Sequence, residues 1–79
     1  MRIDKFLKTS RLIKRRAIAK EACDTERVLI NGKAAKPGSE VKVGDIVEVR
    51  FGNSTLRARV LELTESSRKE DAARMYEVL

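Results

Sequence analysis

The chain has 79 residues, the length of one small domain, and its hydrophobic residues include only two Phe and one Tyr, so an aliphatic core is expected. Its formal net charge is +6, and it contains no His and a single Cys. Neither a Ser-His-Asp site, a Cys-His pair nor a standard zinc site can be assembled from these residues, so we expect no enzyme, no metal and no cofactor.

Two short helices are predicted at the N-terminus. The first ends near Thr9 or Ser10 and buries three apolar residues at helical spacing: Ile3, Phe6 and Leu7. The second spans about residues 14–23 and buries three small residues at the same spacing: Ala19, Ala22 and Cys23. Arg16 and Lys20 then share the outer face of this second helix.

From residue 28 onward the pattern predicts an antiparallel sheet. Val28–Ile30 has strand composition, and Asn31-Gly32 is a strong signal for a tight hairpin turn because both residues tolerate positive φ. Ile46–Phe51 alternates as a strand, Gly52-Asn53 marks the next reversal, and residues 56–63 supply a further strand.

The tail SSRKEDAARMYEVL, residues 66–79, predicts a terminal helix. Ser67 and Glu70 have the spacing of a capping box. A stripe of apolar residues follows at helical spacing: Ala72, Met75, Tyr76 and Leu79. The expected architecture is therefore α+β, with two N-terminal helices packed on a small antiparallel sheet and a helix at the C-terminus, all in one domain over residues 1–79.

Sequence features of membrane-bound or exported proteins are missing. No apolar run approaches the roughly 18 residues that a membrane-spanning helix needs. The first residues alternate charged and apolar side chains, whereas a signal peptide needs an uninterrupted apolar stretch. Cys23 cannot form an internal disulfide, which fits a reducing compartment. We expect a cytoplasmic protein that binds no membrane.

The whole net charge lies in the first 22 residues, which hold eight basic and two acidic residues, whereas residues 23–79 hold ten of each sign. A solvated helix face normally mixes both signs, so this segregation indicates a surface that binds a polyanion. With few aromatic residues to stack on bases, recognition of folded RNA through its shape and phosphates is favoured. The candidate RNA-binding residues are Arg2, Asp4, Lys5, Lys8, Arg11, Lys14, Arg15, Arg16 and Lys20.

Two of these residues have more specific expected roles. Arg16 stands at the start of the second helix, where the helix N-terminus favours anions, so we expect it to be the most important binding residue, with Arg2 next. Asp4 is expected to cap the first helix, to orient Arg2 or a nearby Arg, or to do both.

Several separated sequence motifs occur in the order found in the S4-type RNA-binding domain. They are Arg2-Ile3-Asp4 with Leu7, Arg16 with Ala19, Arg27-Val28, Ile30-Asn31-Gly32 and Val43-Gly44-Asp45. Over residues 2–51 the chain therefore resembles that domain, and residues 55–79 add a C-terminal strand and helix. The resemblance implies an αL fold, in which the first two helices pack on a small twisted sheet and bind RNA with their outer faces.

Within that family the IKRR segment and the tail 69–79 are most similar to small stand-alone members that act in ribosome-associated quality control. This resemblance implies binding to a large ribosomal subunit left with a peptidyl-tRNA after a stall, with large-subunit rRNA and tRNA as partners. It also implies support for a tRNA-binding elongation factor of the RqcH/NEMF kind, which adds C-terminal alanine tails to the stalled chain. We expect the protein to act as a monomer.

Two residues depart from the family pattern. Arg15 stands where many relatives have a Ser or Thr that caps the second helix, and its side chain cannot accept a hydrogen bond from the first-turn amides. Glu26 stands where many have Gly, the residue that most easily adopts a left-handed helix ending. An Arg in place of a cap suggests a contact with RNA.

Other functions remain open at this point. The chain could be the accessory RNA-binding domain of an rRNA-modifying enzyme such as a pseudouridine synthase, a general ribosome-recycling protein of the heat-shock type, or a module that docks on acidic surfaces. The start at Met1 and the self-contained terminal helix favour the stand-alone protein over the accessory domain.

Overall fold

Three helices and one five-stranded sheet make up the computed structural model, which describes residues 1–65 and 68–79. In chain order they are α1 (Ile3–Thr9), α2 (Arg16–Asp24), β1 (Val28–Ile30), β2 (Lys33–Ala34), β3 (Ile46–Phe51), β4 (Ser54–Val60), α3 (Lys69–Ala73) and β5 (Tyr76–Val78). The strands are antiparallel and lie in the order β2-β1-β3-β4-β5. This arrangement confirms the expected α+β class.

The core lies between the two N-terminal helices and one face of the sheet. From α1 it takes the three apolar residues predicted from their spacing, all with no exposed surface: Ile3, Phe6 and Leu7. Ala19 and Cys23 of α2 are buried as expected, whereas Ala22 is only partly buried. Strand alternation supplies the other side, because every second residue of β3 and β4 points to this face.

The Asn31-Gly32 turn connects β1 and β2 and also fastens β3. Both residues have positive φ, 52° and 83°, as the tight hairpin requires. The Asn31 side chain accepts a hydrogen bond from the Ile46 amide at 2.9 Å and donates one to the Asp45 carboxylate at 3.1 Å. The predicted hairpin is confirmed, and its Asn helps to fix where β3 begins.

The C-terminal segment differs from the prediction of one continuous helix. The α3 helix is confined to Lys69–Ala73, and the next residues form β5, which pairs with β4 through Ala58↔Val78 and Val60↔Tyr76. The extension of the helix through Tyr76 and Leu79 was therefore wrong, because the open edge of β4 offers this segment a ladder of hydrogen bonds. The predicted capping box includes Ser67, which lies outside the described residues.

The α2 helix ends in a left-handed residue although no Gly is present. Glu26 has φ 60°. Its amide donates to the Cys23 carbonyl at 3.1 Å, and the Arg27 amide donates to the Ala22 carbonyl at 2.9 Å. These two bonds form the Schellman pattern that satisfies the last carbonyls of a helix. The helix thus has a left-handed ending at the cost of a strained non-Gly residue.

No helix in the described part of the chain has the length and apolar character needed to cross a membrane.

Candidate nucleic-acid interface

The centre of the predicted cationic surface is the Asp4 carboxylate, which is 2% exposed. Its Oδ2 accepts a hydrogen bond from Arg2 Nη2 at 3.1 Å, and its Oδ1 lies 3.4 Å from Arg16 Nη2. Oδ1 also accepts the Lys5 amide, in the first turn of α1, at 2.8 Å. One buried carboxylate therefore joins the start of α1 to the start of α2 through two arginines.

This geometry bears on both roles expected of Asp4. The N-cap position of α1 is Arg2, whose side chain makes no capping bond, so Asp4 is the second residue of the helix and not its cap. Its carboxylate nevertheless satisfies one first-turn amide from there. It also contacts both Arg2 and Arg16, so the structure contains the contacts that an orienting role needs.

The beginning of α1 is held in place by the loop before Val41. The Ile3 amide donates to the Ser39 carbonyl at 2.8 Å, and the Asp4 amide donates to the Pro37 carbonyl at 3.3 Å. Gly38 lies beneath the Arg2 guanidinium, since a Cβ at this position would be 4.0 Å from that group. The position of Arg2 therefore depends on a loop more than thirty residues away in sequence.

Both arginines remain accessible to a ligand. The Arg2 and Arg16 side chains are 51% and 49% exposed. Asp4 carries one negative charge against two positive ones, so the three residues together keep a net positive charge. Each guanidinium has five N–H donors in a planar fork, and the bonds to Asp4 use only part of that capacity. The remaining donors can hold phosphate oxygens in pairs.

The start of α2 adds to this positive potential. Arg15 occupies the N-cap position with an extended backbone and makes no side-chain capping bond, as its identity predicted. The first turn of α2 contains no acidic residue. Its amides and the positive end of the helix dipole therefore lie beside Arg16 without a local carboxylate on the same helix to offset them.

The other predicted residues are spread over the exposed surface around this centre. Lys5 donates to the Glu65 carboxylate, and this hydrogen bond lowers the pKa of Glu65. The remaining candidates are all exposed: Lys8, Arg11, Lys14, Arg15 and Lys20. The structure thus brings Arg2, Asp4 and Arg16 into direct contact and leaves the other candidates as surrounding surface charge.

A second group of arginines was not predicted and lies on the face of the sheet turned away from α1 and α2. Arg50 and Arg57 pair with Glu48 at 3.3 and 3.7 Å, and Arg59 pairs with Glu77 at 3.5 Å. Strand alternation in β3 and β4 was the signal in the sequence that could have identified them. Their ion pairs make this face less positive than the surface around Arg16.

Cys23 lies in the core below α2, as predicted for a small buried residue. Burial, with smaller contributions from the Asp4 and Asp24 carboxylates, raises the pKa of its thiol to about 11. The thiol is therefore protonated at neutral pH, and its low thiolate content makes it a poor nucleophile.

Comparisons with known proteins identify a family and several relatives of this chain. A family model described as the S4 domain matches residues 1–47. The RQC P-site tRNA stabilizing factor of Streptococcus pneumoniae is 54% identical over 79 residues, which are 100% of this chain and 90% of that protein. The protein of the same name from Bacillus subtilis is also 54% identical, over 100% of this chain and 92% of its own length. The structure of Vibrio cholerae Heat Shock Protein 15, described as trimeric, matches with a TM-score of 0.92 at 26% identity, over 100% of this chain and 81% of that one.

Proposed function

Because the chain belongs to the S4 domain family, we propose that it is an RNA-binding protein of ribosome-associated quality control that stabilises tRNA on a stalled large ribosomal subunit. The observation that carries this proposal is the pair of half-exposed arginines held by one buried Asp4 at the junction of α1 and α2. The names of the two relatives that are 54% identical point to the same process.

The proposed mechanism is recognition of an RNA backbone by positioned arginines. Asp4 restricts the side chains of Arg2 and Arg16 before RNA arrives, so less side-chain freedom is lost on binding. Each guanidinium can then take two oxygens of one phosphate, and the uncapped start of α2 attracts the same phosphate charge. The surrounding bases extend the contact: Lys5, Lys8, Arg11, Lys14, Arg15 and Lys20.

On the ribosome, this surface would contact large-subunit rRNA and the peptidyl-tRNA at the same time. By holding the tRNA it would support a tRNA-binding elongation factor of the RqcH/NEMF kind that adds C-terminal alanine tails to the stalled chain. We propose that the protein contributes binding and no catalysis, and that it works in the cytoplasm, where ribosomes translate.

We also propose that the chain acts as a monomer. Pairing of sheet edges is one common route to self-association. The two edge strands here are only two and three residues long, which limits such pairing. Sedimentation equilibrium of the free protein would test this, and a stable trimer like that described for the Vibrio cholerae relative would contradict it.

The decisive experiment for the function uses Arg16. Arg16→Ala should leave folding intact but release the protein from large subunits in sucrose gradients and stop alanine tailing of stalled chains. Arg16→Lys should rescue only in part, because Lys lacks the bidentate fork. Arg57→Ala is the matched control, since it removes the same charge from the opposite face of the sheet.

Thermal melts of the same variants complete this experiment. A purely structural role for Arg16 predicts a lower melting temperature with unchanged ribosome association. An Arg16→Ala protein that still travels with the large subunit at the wild-type level would refute the proposal.

A second candidate function is general ribosome recycling of the heat-shock type, which the structural match to Heat Shock Protein 15 favours. Both functions require RNA binding, so the Arg16 experiment does not separate them. Removal of the gene does, since the tailing role predicts loss of C-terminal alanine on stalled chains, whereas a general recycling role predicts free large subunits with tailing retained.

A further inference from the structure

An open groove of about 470 Å³ lies between α2 and the β3–β4 hairpin. Leu12 and Ala22 line it from the side of the helices, and Val49 and Phe51 line it from the side of β3. Its volume falls within the range of about 300–1,000 Å³ that is common for ligand-binding clefts. The groups that donate to the Asp4 carboxylate belong to Arg2, Lys5 and Arg16, which do not line the groove, so the groove is distinct from the arginine pair described above.

The groove is bordered by large apolar side chains that the fold does not bury. Ile18 of α2 is 50% exposed, and Phe51 at the end of β3 is 45% exposed. The chain has only two Phe, and the other, Phe6, is fully buried. Single exposed apolar residues are ordinary on protein surfaces, but two that border one concave site can bury further surface when a ligand fills it.

The rim of the groove is mainly positive. Lys14 and Arg27 border it, and the side chain of neither pairs with a carboxylate among residues 1–65 and 68–79. Arg50 contributes to the lining near the end of β3, but its side chain belongs to the opposite face of the sheet, where it pairs with Glu48 at 3.3 Å. Among the described residues, Glu21 is the one acidic residue that lines the groove. A ligand that carries apolar groups flanked by negative charge is therefore complementary to it.

The groove faces a different direction from the arginine pair. Successive residues of a helix are separated by about 100°, so Ile18 lies roughly 200° around α2 from Arg16. Lys20, which is about 40° from Arg16, belongs to the same side as the arginine pair. RNA held by Arg16 and Lys20 therefore leaves the groove open to another molecule, and Lys14 stands at the border between the two surfaces.

We propose that the groove between α2 and the β3–β4 hairpin binds an acidic, amphipathic segment of a protein, with apolar side chains between Ile18 and Phe51 and carboxylates on Lys14 and Arg27. Such a segment, for example a helix with an apolar stripe, supplies both kinds of group at once. An RNA strand would place phosphates on the rim, but Glu21 opposes them and Phe51 is the one aromatic ring available for stacking. This proposal goes beyond the RNA-binding function and does not rest on it.

The test is an NMR titration of the ¹⁵N-labelled full chain with a designed peptide. The peptide is a helix with Leu at i, i+3, i+4 and i+7 and Glu at the other positions, and its matched control has Lys in place of Glu. The acidic peptide should shift the amides of Ile18, Ala22 and Phe51 saturably, whereas the basic peptide should not. Ile18→Gln or Phe51→Ser should weaken binding about five- to tenfold, and Arg27→Gln should reduce its dependence on salt.

Val43→Gln is the control variant, because Val43 is 61% exposed but lies outside the groove, and it should bind the acidic peptide like wild type. Loss of fold in a variant does not compromise the test, since the shifts on the wild-type protein locate the peptide directly. The proposal would be overturned if the acidic peptide caused no saturable shifts, or if both peptides bound equally well. Binding of an oligouridylate in the groove would also overturn it. So would concentration-dependent shifts of the groove amides without peptide, because these indicate a second copy of the chain.

Discussion

Replacement of Asp4 by Asn separates positioning of the arginines from simple electrostatic attraction. Asn keeps the size of Asp4 and an oxygen that can accept the Lys5 amide, but it removes the negative charge that holds Arg2 and Arg16. The variant has one more net positive charge than the wild type. Attraction alone therefore predicts tighter RNA binding, whereas loss of orientation predicts weaker binding.

The expected magnitude follows from the number of side chains that are released. Two long side chains, Arg2 and Arg16, lose their shared acceptor and must be ordered by RNA instead. Ordering costs about 0.5–1.5 kcal/mol for each such side chain, or about 1–3 kcal/mol for the pair. At roughly 1.4 kcal/mol for each factor of ten, this corresponds to about five- to 150-fold weaker binding, reduced somewhat by the added charge.

The free energy of unfolding should fall only slightly in Asp4→Asn and further in Asp4→Ala. Because both arginines are about half exposed, their pairs with Asp4 are partly screened by solvent, and Asp4→Asn should lower the free energy of unfolding by only about 1 kcal/mol. Asp4→Ala also leaves the Lys5 amide without its acceptor, which adds about 1–3 kcal/mol. Urea unfolding would measure both values.

The binding assay is fluorescence anisotropy with large-subunit rRNA fragments and with tRNA at fixed salt. Arg16→Ala and the double variant Asp4→Asn/Arg16→Ala complete a cycle, in which the effect of Asp4→Asn should shrink once Arg16 is absent. If Asp4→Asn binds RNA as tightly as wild type, or more tightly, while remaining folded, the positioning role is refuted.

Three further predictions concern the whole cationic surface and the C-terminal end of α2. If about five phosphates are neutralised, a plot of log K against log salt should have a slope of roughly −3.5 to −4.5, and an affinity unchanged between low and physiological salt would contradict phosphate recognition. Glu26→Gly should raise the free energy of unfolding by about 0.5–1 kcal/mol in urea melts, because removing the strain of a left-handed non-Gly residue outweighs the added entropy of the unfolded chain. Asp24→Gly, inside the helix, is the control and should lower the free energy of unfolding. The pKa of the Cys23 thiol is near 9.0 when the chain is unfolded and about 11 when it is folded. As pH rises from 9 to 11, the free energy of unfolding should therefore fall more steeply for the wild type than for Cys23→Ala. Parallel curves for the two proteins would show that folding does not protect the thiol from ionisation.

Patterns local in sequence predicted most of the fold. The spacing of Ile3, Phe6 and Leu7 identified α1, and the Asn31-Gly32 pair identified the first hairpin, because each depends on neighbouring residues alone. The prediction for the end of the tail was wrong because the structure of that segment depends on a strand distant in sequence. Met75 and Leu79 fit a helical stripe, but the open edge of β4 competes for the segment that holds them, and that edge is not visible in the spacing.

In the candidate site, too, the features set by neighbouring residues could be predicted, whereas those set by contacts distant in sequence could not. The segregation of charge predicted an exposed cationic surface formed by the first 22 residues. The spacing of Arg16 and Lys20 predicted that these two residues share a face of α2. The contact of Asp4 with Arg16 depends on how α1 and α2 cross, which no local pattern specifies. The left-handed Glu26 was also not predictable from its identity, because it is imposed by hydrogen bonds from Glu26 and Arg27 to the end of α2.

The bonds from the 37–39 loop to the beginning of α1 have a consequence for how the protein acquires its function as it folds. The arginine pair belongs to a short N-terminal stretch, but the backbone that fixes Arg2 includes the Ser39 carbonyl, and Val41 donates to Met1 at 3.0 Å. Closing a loop of this length carries an entropic cost, which grows slowly with the number of residues in the loop. During synthesis, the bonds that hold the beginning of α1 in place can therefore form only after residues up to Val41 have left the ribosome.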